Sequence, residues 1–174
     1  MVNLLAAQKA AACFVGAWGF INSTLVNTTT GERITDDWGY PVPSGLSLFT
    51  PNGWCALLVS ANDTTMPDLR PRFLDQSNIT SGTDADWANI GKYSIAGAGP
   101  YRLSNVTSSC RAGEGPQGVV TGNFITSTLP SREGLFDLNF KFYESCHVWN
   151  LHQYIGGGLE RVVWYEKQPD QQVY

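Results

Sequence analysis

The sequence predicts an all-β chain folded as a single antiparallel up-and-down β-barrel of about 8–10 strands, with a short N-terminal helix. Three observations carry this expectation. Short runs alternating apolar and polar residues recur at hairpin spacing, clusters of Gly, Pro and Asn separate them, and no long stretch of helical periodicity interrupts them. Closure removes exposed strand edges, and an even strand count would set the last strand antiparallel to the first. At 174 residues the chain is read as one domain, 1–174.

Residues 1 to 13, MVNLLAAQKAAAC, read as a helix that covers one barrel end. A signal peptide fits them poorly, because there is no basic leading region and Lys9 interrupts the apolar part. Val15 to Val26 alternates and opens on Gly16-Ala-Trp18, where the glycine lets the backbone bend and the tryptophan turns inward to plug the barrel. Asn27 to Gly31 is a turn, and Glu32 to Trp38 the returning strand. After a rigid Tyr40 to Gly45 connection, Leu46 to Thr50 and Trp54 to Ser60 flank Pro51-Asn-Gly53, the clearest hairpin signal in the chain. Residues 61 to 86 are polar and lack alternation, as a long excursion or lid would, with a helical turn or two over Pro67 to Leu74. Strands then resume over Ile90 to Ile95, Tyr101 to Val106, Val119 to Ser127, Leu135 to Tyr143, His147 to Tyr154 and Arg161 to Lys167. Breaks are expected at Gly97 to Pro100, Arg111 to Gln117, Pro130 to Gly134 and Gly156 to Gly158, and no interior helix is expected.

Only 15% of residues are charged while 12% are aromatic and 18 are glycine, a composition suited to a glycine-kinked barrel with an aromatic interior. A net charge of -4 gives no basic footprint for nucleic acid or an anionic membrane. No apolar run approaches the ~18 residues of a membrane span. Cys13, Cys55, Cys110 and Cys146 lack ligand-like spacing and are expected to be reduced thiols in a cytoplasmic protein. Sequons at Asn22, Asn27, Asn62, Asn78 and Asn105 favour the alternative, a secreted glycoprotein.

Four blocks together resemble the lipocalin-like domain of the calycin group, as found in small fungal proteins. They are Phe14-Val-Gly-Ala-Trp18, Tyr40-Pro-Val-Pro-Ser-Gly-Leu-Ser-Leu-Phe-Thr-Pro-Asn-Gly-Trp54, Gly91-Lys-Tyr93 and Val162-Val-Trp-Tyr-Glu-Lys167, and they span most of the chain. The resemblance implies an antiparallel barrel around an apolar cavity. Its members include carriers of hydrophobic small molecules and cofactor-free isomerases, cyclases, dehydratases and pericyclases of natural-product pathways. Two departures stand out. Lys167 sits where an arginine often caps the tryptophan, and Tyr101-Arg102 where related domains frequently carry a histidine.

Within such a barrel, period 2 places Phe20 and Asn22 on the same side as Trp18, where Asn22 would meet a ligand carbonyl. His147 shares a face with Trp149 and is the best proton donor or acceptor near neutral pH. Arg161 at a rim and Arg102 on its own strand would hold a carboxylate or enolate oxygen, with Tyr101 as a further donor. Tyr40 and Tyr93 would likewise donate hydrogen bonds to a carbonyl, while Trp54 and Trp149 would shape a planar or polyene ligand. Each has a plainer role as well: a backbone-bonded histidine, surface salt pairs, packing aromatics. No nucleotide loop, serine-hydrolase elbow or metal-ligand pattern is present in the sequence, and no cofactor is expected.

The function expected is cofactor-independent isomerisation, cyclisation or elimination of a hydrophobic secondary-metabolite intermediate. The alternative is a carrier that binds such a ligand unchanged. A hydrophobic small molecule is the expected partner, and a homodimer is an allowed assembly.

Overall fold

A computed structural model describes residues 4–35, 43–61, 82–109, 111–128 and 133–169. Helix α1 (Leu4–Phe14) is rich in alanine, the best helix former, and buries Ala6, Ala10, Cys13 and Phe14 along one stripe. The strands are β1 (Gly16–Asn27), β2 (Arg33–Thr35), β3 (Pro43–Phe49), β4 (Trp54–Ala61), β5 (Ser94–Ser108), β6 (Glu114–Phe124), β7 (Thr126–Ser127), β8 (Gly134–Tyr143), β9 (Val148–Gly156) and β10 (Leu159–Lys167). Eight of them, all but the short β2 and β7, form a closed antiparallel ring in which β1 pairs with both β3 and β10. The expected all-β barrel with an N-terminal helix is what the chain forms.

The predicted turns form by local chemistry. Asn27 Oδ1 accepts hydrogen bonds from the backbone N–H groups of Thr29 and Thr30 at 2.9 and 3.1 Å, and Gly31 takes φ +72°. In the β3–β4 hairpin, Thr50 Oγ1 accepts from the Trp54 N–H at 3.0 Å. Gly156, Gly157 and Gly158 all take positive φ between β9 and β10.

Four expectations fail. Ile90 to Ile95 is not a strand throughout, and the expectation of no interior helix fails with it, because α2 (Asp84–Lys92) occupies its start. Thr83 and Asp86 form a reciprocal capping box, which satisfies the first N–H groups of a helix. The expected break at Gly97 to Pro100 is absent, and β5 runs through it for 15 residues. A Cβ on Gly99 would stand 1.8 Å from the Asn123 carbonyl oxygen, so glycine here lets two backbones cross closely and does not end the strand. Pro100 lies where β5 passes from pairing β4 to pairing β6. The expectation of reduced thiols is corrected for two cysteines, since Cys13 and Cys146 form a disulfide with Cα atoms 5.4 Å apart. A separation of 133 residues leaves no local sequence signal of that pairing.

The disulfide joins the C-terminal end of α1 to the tight Glu144–Cys146 turn between β8 and β9. Glu144, Ser145 and Cys146 all have positive φ without being glycine, a conformation the cross-link and the flanking strands hold in place. Phe14, fully buried at the end of α1, enters the barrel and packs against Phe49, Tyr101, Phe140, Phe142 and Trp149. One end of the barrel is thus filled by rings. At the opposite end lie the start of β5 and β8 and the end of β4; residues 36–42, 62–81 and 129–132 are outside the described residues. Most of the expected 61–86 lid, with the Pro67 to Leu74 turn, is therefore outside them, while residues 84–86 open α2.

Candidate functional site

Alternation along eight strands decides what faces the interior. β8 turns Phe136, Leu138, Phe140 and Phe142 inward, and Phe140 and Phe142 belong to the ring-filled core. Above that core the lumen opens into a cavity of about 390 Å³. Its walls include Leu57, Phe124, Phe136, Leu138, Leu151 and Tyr165, with Glu133 and Gln153 as polar members. The same six apolar and aromatic residues also line a smaller inner chamber of about 60 Å³, with Ser47, Phe49, Cys55, Val120 and Trp149 among its remaining neighbours. The chamber is the deep extension of the cavity.

Glycines make room for the rings that form these walls. A Cβ on Gly122 would lie 2.0 Å from the tip of the Phe136 ring, and one on Gly97 2.5 Å from the Phe124 ring. Phe124 and Phe136 in turn pack edge to face with centroids 4.8 Å apart. Burial pushes the Cys55 thiol up to about 11, so it stays protonated at neutral pH. The Tyr101 phenol is also raised, by burial first and by the nearby Cys55 second.

The sequence-predicted residues divide sharply. Trp149 lines the inner chamber, as expected. Phe20 faces inward and packs edge to face on Tyr165, behind the cavity wall. Trp18 is fully buried at the plugged end and donates its indole N–H to the Phe14 carbonyl at 2.8 Å, so it plugs the barrel without lining the cavity. Asn22 is exposed and not inward. A bulge between Phe20 and Asn22 sets Phe20 opposite Tyr165 but Asn22 opposite Trp164, and one extra residue moves everything after it to the other face.

His147 is likewise not inside. The strand begins one residue later, at Val148, and exposed His147 ends the preceding turn with Nδ1 2.9 Å from the Glu144 carbonyl oxygen. It borders an open depression at the plugged end, together with Lys9, Lys167 and the disulfide. That depression, about 620 Å³, is larger than the interior cavity, but it is a surface feature, whereas the smaller one is the lumen of the barrel. Arg102 is exposed, since its strand neighbours Tyr101 and Leu103 take the inward face. Trp54 is 44% exposed on the outer face, because the adjacent Cys55 points in.

Tyr101 faces inward but belongs to the ring core, donating from its hydroxyl to the Thr50 carbonyl at 3.3 Å. Arg161 shares the inward face of Val163 and Tyr165 and pairs in register with Gln153 near the open end. Tyr93 caps α2 and packs on Val59, Ala61 and Ile95, away from the cavity walls. Tyr40 lies outside the described residues. His152, on the outer face of β9, lies 3.2 Å from the Glu160 carboxylate.

Residues the sequence reasoning missed are Cys55, Leu57, Phe124, Phe136, Leu138, Leu151 and Tyr165. The strict alternation of Phe136, Leu138, Phe140 and Phe142 was a readable signal for part of this wall. Among the described residues, no three His, Cys, Asp or Glu side chains gather as a metal site would require, and no helix is long and apolar enough to cross a membrane.

Fold and cavity together define a closed antiparallel β-barrel, plugged at one end and hollow toward the other. Among solved structures the chain is similar to one described as a redesigned β-barrel, at 13% identity over 92% of this chain and 96% of that one, with a TM-score of 0.35. No family model matches the chain, and no curated protein matches it.

Proposed function

We propose that this protein is a lipocalin-like container that binds a small, largely apolar molecule in its lumen. The observation that carries the reading is the cavity of about 390 Å³, walled by Leu57, Phe124, Phe136, Leu138, Leu151 and Tyr165 and continued by the inner chamber. A pocket of this size lies in the range that small-molecule sites occupy, and its apolar walls supply the driving force. The resemblance to the lipocalin-like domain is supported by the closed antiparallel ring and by Trp18 buried at its plugged end.

Isomerase, cyclase or lyase chemistry in this cavity is the weaker reading. Of the groups considered for it, His147 and Arg102 are outside the barrel, and Tyr101 and Arg161 are not among the cavity-lining residues. The test uses N-phenyl-1-naphthylamine, a neutral apolar fluorophore. Saturable one-to-one binding that is lost in Leu151→Trp, where the indole fills the cavity, is expected, and recovery of the probe intact would mark a carrier. Absence of saturable binding, or binding untouched by Leu151→Trp in a folded barrel, would overturn the proposal.

We place the protein in an oxidising compartment, in departure from the cytoplasmic expectation. The support is the Cys13–Cys146 disulfide together with sequon asparagines Asn22 and Asn105 on the exposed outer surface. Peptide mass spectrometry of native material should find the disulfide intact and glycan on one or both asparagines. Free thiols at Cys13 and Cys146, with both asparagines bare, would reverse this placement.

A further inference from the structure

Two fully enclosed tryptophans, Trp18 and Trp149, meet different fates. Trp18 donates its indole N–H to the Phe14 carbonyl at 2.8 Å. Trp149, 2% exposed, has no hydrogen-bond partner for its Nε1 among the described residues. Asn150 Oδ1 is also buried and unpaired among them, but alternation puts it on the opposite face of β9. Buried donors are almost always paired, so the Trp149 N–H calls for an acceptor brought from outside the protein. Trp149 also lines the inner chamber, the deep end of the route from the cavity.

We propose that the inner chamber is an acceptor-specific subsite, in which the Trp149 indole N–H holds the oxygen of a neutral, carbonyl-bearing apolar ligand. The proposal rests on the reading of the barrel as a container. The indole is preorganised, because it stacks on Tyr165 with centroids 4.9 Å apart and planes at 17°, while Phe14 and Phe49 press edge-on against it. A ring held on three sides cannot turn to seek another acceptor, so the donor is fixed in place before the ligand arrives.

The chamber walls also select charge. Among the lining residues are Ser47, Phe49, Cys55, Val120, Trp149 and Tyr165, and none of the lining residues is ionised at neutral pH. A carboxylate or phosphate would lose its hydration there without a cation to replace it, and an ammonium would find no carboxylate. An indole N–H only donates, so a group that can only donate gains nothing from it. A ketone, aldehyde or ester oxygen meets every condition. A water can also accept this bond, but these walls supply few of the two to four polar partners a buried water takes, so a carbonyl on an apolar chain displaces it readily.

The matched probes are 2-decanone and 2-methyl-1-decene, which share a shape but differ in having C=O or C=CH2. Each is titrated against bound N-phenyl-1-naphthylamine in the full chain and in Trp149→Phe. The ketone-to-alkene affinity ratio is expected to fall about 3–10-fold in Trp149→Phe, the worth of one ordinary hydrogen bond. An unchanged ratio with both compounds still bound would overturn the subsite and leave the container standing. If neither compound displaces the fluorophore and the fluorophore itself does not bind, it is the container reading that fails. Should Trp149→Phe not fold, the Trp149 indole 15N–1H resonance of the unsubstituted protein decides. It should move downfield with the ketone and not with the alkene, and equal responses would overturn the proposal.

Discussion

The Lys167 Nζ lies 5.4 Å from the centre of the Trp18 ring, and the two residues are direct partners across the β1–β10 seam that closes the barrel. The lysine stem also passes over Gly16, which has φ +125° and where a Cβ would stand 3.3 Å from the Lys167 Cε. Lys167 thus caps the Trp18 ring at the plugged end. Replacing Lys167 with Ala removes a cation–π contact worth about 0.5–1 kcal/mol. A melting temperature lower by about 2–4 °C per kcal/mol is expected, and Lys167→Arg should restore it.

The Cys13–Cys146 bridge closes a long loop and fastens α1 to the barrel end. Its loss in Cys13→Ser/Cys146→Ser should cost about 2–5 kcal/mol, read from urea unfolding. Dithiothreitol should lower the midpoint of the unsubstituted protein and leave that of the double variant where it is.

Two inward glycines should respond to alanine in opposite ways. At Gly99 the new Cβ meets the Asn123 backbone oxygen at 1.8 Å, and backbone cannot step aside, so Gly99→Ala should destabilise by about 3 kcal/mol or more. At Gly122 it meets the far end of the Phe136 side chain at 2.0 Å, a ring that borders the cavity and has space to swing into. Gly122→Ala should therefore melt within a few degrees of the parent while binding N-phenyl-1-naphthylamine at least tenfold more weakly. Calorimetry paired with fluorescence titration separates the two effects.

Cys55 is held protonated by burial, with its titration moved from 9.0 to about 11. At pH 8 a disulfide reagent such as dithionitrobenzoate should label Cys55 only after denaturation. Between pH 9 and 11 the unfolded chain releases this proton and the folded chain keeps it, so stability should fall as pH rises through that window. Cys55→Ala should flatten that part of the curve, as measured by urea midpoints across the range.

Strand order, turn positions and barrel closure were legible because they rest on period-2 alternation and on turn residues, both local signals. The faces were less legible. Asn22 was assigned inward by counting twos from Trp18, and a single bulged residue reversed it. His147 was lost in the same way, by a strand starting one position later than alternation suggested. The helix Asp84–Lys92 was readable from Thr83 and Asp86, whose spacing is that of a capping box. Gly97 and Gly99 were taken for punctuation, because composition does not distinguish a glycine that breaks a strand from one that makes room for a ring or a backbone across the barrel. Trp149 is legible as an inward residue from its strand face, but that its indole is unpaired depends on where the described acceptors lie, which no local pattern encodes.

The β1–β10 seam has a consequence for how the chain comes to be folded. The first strand of the barrel waits for the last to find its partner, and Phe14 waits for Phe140, Phe142 and Trp149. During synthesis β1 therefore spends most of its time with one edge unpaired and its apolar face uncovered, the condition that invites association with other chains. That exposure ends only when β10, the last strand to be made, closes the seam.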